Sequence, residues 1–191
     1  MKSRPCEQSL KRVERNNLVK PIKILDDPVL RLRSEEIKDI NSEEALEIAG
    51  DLIETLKNQG GLGLAANQIG ITKRIFIVNS KELDFGSDYR IFLNPKIIYL
   101  EGLVVDEEGC LSIPGLYAEI GRPEYAEIEA VELKLNGKLK DVKLKVEGFL
   151  ARVFLHEIDH LDGVLFIDYL DEETRRILLA KWRNEYNRFS L

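Results

Sequence analysis

The chain has 191 residues, 44% of them hydrophobic and 32% charged, with 13 Gly, 6 Pro and a formal net charge of −6. A chain of this size buries roughly 70% of its extended surface on folding, enough for a core without a disulfide framework, and its composition excludes disordered, collagen-like and disulfide-scaffold classes. No apolar run is long enough for a membrane span or a secretory segment, the acidic balance argues against a sequence-specific nucleic-acid partner, and two cysteines, Cys6 and Cys110, fit a reducing cytoplasm.

Residues 1–20 stand apart. Lys2, Arg4, Lys11, Arg12, Arg15 and Lys20 face only Glu7 and Glu14, and no apolar stripe is long enough to pack, so the segment reads as a mobile basic extension. An organellar address follows only if it is a transit segment, and Glu7 and Glu14 speak against that. Residues 21–191 read as one catalytic domain. Pro21–Leu25 predicts a short strand and Asp26-Asp27-Pro28 a turn. Residues 43–59 predict an amphipathic helix with Ala45, Ile48, Ala49, Leu52, Ile53 and Leu56 on one stripe, capped by Asn41 or Ser42 and ended by Gly60-Gly61. Strand patterns follow at 74–78, 90–93, 97–105, 131–135 and 142–146, the last two joined by a two-residue turn at Asn136-Gly137. Helical spacing returns at 149–161 and in a long charged helix over 171–189. One helix, then many antiparallel strands, then helices, with no internal repeat, is an α+β order.

Three segments carry chemistry. In His156-Glu157-Ile158-Asp159-His160, helical geometry puts the chain's only two histidines on one face, one turn apart, where both can hold one metal ion with Glu157 beside it for proton transfer. The third ligand has two sources: a downstream carboxylate (Glu172, Glu173 or Glu185), or Cys110, whose thiolate suits zinc or iron(II) and which follows Gly109 at the end of a strand run. The Gly61–Gln68 stretch lacks the features of a nucleotide-binding loop. Its Gln68 offers a neutral amide that can donate to a developing oxyanion.

Taken together, GLGLAANQ at 61–68, EGCLS at 108–112 and HEIDH at 156–160 resemble, in order and spacing, the three signature motifs of the peptide deformylases, over residues 21–191. The resemblance implies an α+β metalloenzyme with antiparallel strands around a central HExxH helix. It would remove the N-formyl group from N-formylmethionyl nascent polypeptides and release formate. It also implies Cys110, His156 and His160 as metal ligands, Glu157 as acid/base and Gln68 as oxyanion donor. The implied ion is iron(II), with zinc, nickel or cobalt able to substitute. The expected chemistry has the metal lower the pKa of a water, Glu157 take its proton and later protonate the amine, and Gln68 with the Leu111 N–H hold the oxyanion. The peptide would lie as a strand beside Leu62, Gly63 and Gly109, with Ile113, Val153 and Phe154 walling a methionine pocket. Asp159 would support the site from outside the ligand shell, with Arg122 its partner. Two departures, Leu155 where many members carry Gln and Tyr117 where some carry Arg, bear on peptide preference. The long terminal helix resembles the bacterial type that docks on the ribosome, which would make Arg175, Arg176, Lys181, Arg183 and Arg188 its contacts. The competing reading is an HExxH peptidase using a downstream Glu.

Overall fold

Side chains on the strand Ile75–Asn79 alternate between two apolar neighbourhoods, Ile75 and Ile77 on one side and Phe76 and Val78 on the other, so this strand needs a cover on each face. A computed structural model, which describes residues 18–38, 42–86 and 89–189, supplies both. Helix α1 (Ser42–Gln59) covers one face and α2 (Gly148–Leu161) the other. Between them lies a five-stranded antiparallel sheet in the order β1-β2-β3-β6-β7, made of β1 (Gly63–Ala65), β2 (Ile75–Asn79), β3 (Tyr89–Glu101), β6 (Tyr125–Leu133) and β7 (Leu139–Glu147). A separate antiparallel pair, β4 (Val104–Cys110) and β5 (Ile113–Arg122), flanks α2. Helix α3 (Glu172–Phe189) closes the chain. The architecture is α+β, as the element order implies.

The stripe predicted on α1 is buried at every position, and it packs against Ile75, Ile77, Ile91, Leu93 and Leu133. Its start falls at Ser42; Asn41 lies outside the described residues. A third cluster gathers Leu25, Leu30, Ile113, Leu116, Ile120, Phe166 and Trp182 under α3, and the Trp182 Nε1–H donates to the Pro114 carbonyl at 2.9 Å.

Several local expectations change. Pro21–Leu25 is not a strand. It runs between two parts of the structure, the Lys23 N–H on the Gln68 carbonyl and the Leu25 N–H on the Ser112 carbonyl, each at 2.8 Å. The run at 97–105 breaks at Gly102, whose φ of 74° turns the chain from β3 into β4. Strand β5 was not expected at all. The β6–β7 loop has five residues, 134–138, with the Lys134 N–H on the Lys138 carbonyl at 2.8 Å and Gly137 at φ 83°, longer than the two-residue form. At the other end, Leu18–Lys20 lie on α1, with the Leu18 N–H on Asp51 Oδ1 at 2.7 Å and the Lys20 N–H on Thr55 Oγ1 at 2.9 Å. The rest of the expected basic extension, with Cys6, lies outside the described residues.

Candidate metal centre

Helix α2 places His156 and His160 with ring centroids 4.9 Å apart. Cys110, at the end of β4, brings its Sγ to 3.1 Å from His160 Nε2. One ligand atom from each of Cys110, His156 and His160 lies within 4.8 Å of the others. The expected downstream carboxylates are elsewhere: Glu172, Glu173 and Glu185 are exposed on α3.

The side chains around this cluster are fixed from several directions. His156 Nδ1 donates to Glu108 Oε1 at 2.6 Å, which leaves Nε2 for the cluster. The same carboxylate accepts from Arg122 at 2.7 and 3.0 Å and from Arg152 at 2.8 Å. Arg122, 2% exposed, also pairs with Asp159, and its guanidinium lies over the Tyr169 ring, 4.4 Å from the centroid. The Tyr169 hydroxyl donates to Asp159 Oδ2 at 3.0 Å. Gln68 Oε1 accepts from the Ala65 N–H at 2.9 Å, which turns its Nε2 toward Cys110 Sγ at 3.6 Å and Ser112 Oγ at 3.3 Å.

Burial raises the Glu157 carboxyl to about 7, and Oε2 has no hydrogen-bond partner. Burial would raise Glu108 too, but hydrogen bonds from His156 and Arg122 outweigh it and hold this carboxyl well below its usual range. At His156 burial disfavours the charged ring, and the Cys110 sulfur and Glu108 outweigh that. At His160 burial, joined by the charge on His156, outweighs the pull of Glu108, and the ring falls well below its usual value. The residues fit a divalent transition ion: one sulfur and two imidazole nitrogens converge, one imidazole is oriented by a carboxylate, and the buried Glu157 Oε2 beside them is unpaired.

Cys110 and His156 line a cavity of about 460 Å³, while His160 is buried and not part of its lining. Among the residues expected from sequence, Leu62, Gly63, Gly109, Leu111 and Val153 line it along with Gln68 and Glu157. Ile113 and Phe154 do not. Phe154 lies two residues, about 200° of helical turn, from His156 and so faces the sheet, where it packs against Phe76 and Phe92. Ile113 is fully buried under α3. Tyr117, expected to bear on peptide preference, also lines it, and Phe149 and Arg152 are lining residues that the sequence reading missed. Arg152 and Glu108 had a periodic signal: Arg152 is one helical turn before His156, and Glu108 is two strand residues before Cys110, on the same face.

Strands that wrap an HExxH helix, and a Cys/His/His cluster beside a cavity, define the class as metal-dependent hydrolase. Comparison with known proteins narrows this. The family model described as polypeptide deformylase matches residues 19–176. A peptide deformylase of Thermus thermophilus is 40% identical over 184 residues, spanning 90% of this chain and 93% of that protein. The Thermus crystal structure superposes with a TM-score of 0.76 over 90% of this chain and 98% of that one. The enzyme of Ehrlichia chaffeensis, solved in complex with actinonin, is 34% identical with a TM-score of 0.77, over 87% and 97%. The chain therefore belongs to the polypeptide deformylase family, and its reaction is the hydrolytic removal of the N-formyl group from a peptide.

Proposed function

We propose that Cys110, His156 and His160 hold one divalent ion, iron(II) in the cell with zinc, nickel or cobalt able to replace it, and that the substrate is the N-formylmethionyl end of a nascent polypeptide. The observation that carries this reading is the convergence of those three ligand atoms within 4.8 Å, with Cys110 and His156 lining the cavity. An ion bound there supplies Lewis acidity toward water and toward the formyl carbonyl.

The protein's own groups supply the rest. Glu157, with a pKa near 7 and a free Oε2, takes the proton of the attacking water and returns it to the departing amine. The Gln68 amide, fixed by Ala65, donates to the oxygen that gains charge, together with the Leu111 N–H. Among the described residues strand β1 pairs only with β2, so its other edge can take an extended peptide lying across from Gly109. The methionine side chain enters the cavity, where Val153 and Leu62 are among the lining residues. Asp159 and Arg122 act at one remove, through Glu108 and His156. A thiolate ligand is preserved in a reducing compartment, which supports the cytoplasm as the site of action. Ribosome docking would use the exposed side of α3. There Arg175, Lys181 and Arg183 make ion pairs with Asp168, Glu185 and Asp26, Arg176 is exposed, and the side chain of Arg188 lies outside the described residues.

The reading is tested by metal content after dialysis. The parent and Glu157→Ala should each retain one ion per chain, and Cys110→Ser should lose most of it while staying folded. Full retention by Cys110→Ser would remove Cys110 from the ligand set.

A further inference from the structure

The Gly61–Gln68 segment holds one polar side chain that the proposed chemistry does not use. Asn67 is fully buried, and its Nδ2 donates to the main-chain carbonyl of His160 at 2.5 Å. Among the described residues this is the only hydrogen bond between the 3-10 turn Ala66–Ile69 and α2. Its neighbour Gln68 ties the same turn in the other direction, through its amide to Cys110 and Ser112 of the β4–β5 pair. The dipeptide Asn67-Gln68 therefore bridges the two elements that supply the expected ligands. Cys110 comes from the hairpin and His160 from the helix.

The location matters because His160 lies in the last turn of α2, where carbonyls have no helical N–H partner. The Val164 N–H, which would continue the ladder, goes to Asp159 instead, and the His160 carbonyl meets the Asp162 and Gly163 N–H groups, the latter at 3.1 Å, and Asn67. A side chain that fixes this carbonyl fixes the Cα of His160, and a staggered side chain then carries the ring with it. Two of the buried side-chain atoms that have no partner also belong to this pair, Asn67 Oδ1 and His160 Nδ1. An imidazole that ligates through Nε2 keeps its proton on Nδ1 and calls for an acceptor.

We infer that Asn67 is a positioning residue: it sets the His160 ring against Cys110 and the Gln68 amide, and so tunes how tightly the ion is held and how the donor meets the substrate. This rests on the metal-site reading above. The test uses the full chain, loaded with zinc or with cobalt(II), and two variants, Asn67→Leu, close in volume, and Asn67→Ser, which is too short to reach. Zinc affinity is read by competition with a chelator, the ligand field by the visible absorption of the cobalt form, and turnover by kcat and KM on a formyl-methionyl peptide. Both variants should hold zinc about tenfold more weakly, as for other residues that orient a metal ligand. They should also shift the cobalt band and lower kcat while KM stays near the parent value. Parent-like affinity and spectrum in a folded variant would overturn the inference. So would failure of both variants to fold, which would make Asn67 a structural cap of α2. A parent that binds neither ion would instead sink the metal-site reading beneath it.

Discussion

A methyl group added at Gly63 would lie 2.4 Å from Glu157 Oε1, so the absence of a side chain there leaves room for the carboxylate. Gly63→Ala should push Glu157 out of line without touching a ligand. Misplacement by about 1 Å costs on the order of a hundredfold in rate. We expect kcat to fall by about that much with one ion still bound, and steady-state kinetics beside metal analysis would check it. Burial of Glu157 makes a second prediction, for the metal-free protein. Its folded pKa, about 7, lies above the ordinary carboxylate value. The protonated form is favoured by folding, and that stability is present at low pH and lost as pH rises through about 7. Glu157→Gln cannot ionise, so its stability relative to the parent should grow from pH 4 to pH 8 in urea titrations; a constant difference would contradict the assignment. At this scale the sequence was readable where motifs are local. His156, Glu157 and His160 declare themselves by helical spacing alone. Glu108 does not, because its bond to His156 joins residues 48 apart, and adjacent Glu107 and Glu108 look alike until the strand's alternation relative to Cys110 decides which points inward. Phe154 misled because it is apolar and near the histidines, yet it lies on the opposite side of the helix.

The β4–β5 pair and α2 meet through buried charge rather than apolar packing alone. Glu108 and Arg122 come from the hairpin, and Arg152, His156 and Asp159 from the helix. A buried ion network is costly to break from one side, because the remaining charges lose their partners. Arg122→Ala takes two hydrogen bonds from Glu108, which keeps Arg152 and His156, and removes the cation paired with Asp159; it should cost about 3–5 kcal/mol, read as a lower urea midpoint, with weaker metal retention because Glu108 then holds His156 less firmly. A loss under about 1 kcal/mol would show that the hairpin is held by other contacts. Elements were legible in proportion to the regularity of their pattern. The α1 stripe recurs without a break and was found almost to the residue, whereas β5 carries Pro114, Gly115 and exposed Tyr117 and Glu119, which hide its alternation. Pro21–Leu25 has strand composition but pairs with two different partners, a tertiary choice that local propensity does not encode.

Three segments distant in sequence converge on one ion-sized space, and each is held by a neighbour from another part of the chain: Gln68 by Ala65 and Lys23, Cys110 by the β4–β5 pair, and the histidines by Glu108 and Asn67. The sheet places α2 and has β1 as an edge strand, and α3 covers the third apolar cluster through Trp182. On the proposed reading the whole molecule keeps Glu157 buried beside the Cys110, His156 and His160 cluster while a peptide end reaches it. Formate release from a formyl-methionyl peptide tests that claim most directly, measured on protein loaded anaerobically with iron(II) or nickel, with Glu157→Ala in parallel. The account predicts turnover by the parent and, in a variant that still holds its ion, a rate lower by at least about a hundredfold. Equal formate release by the two proteins would contradict it.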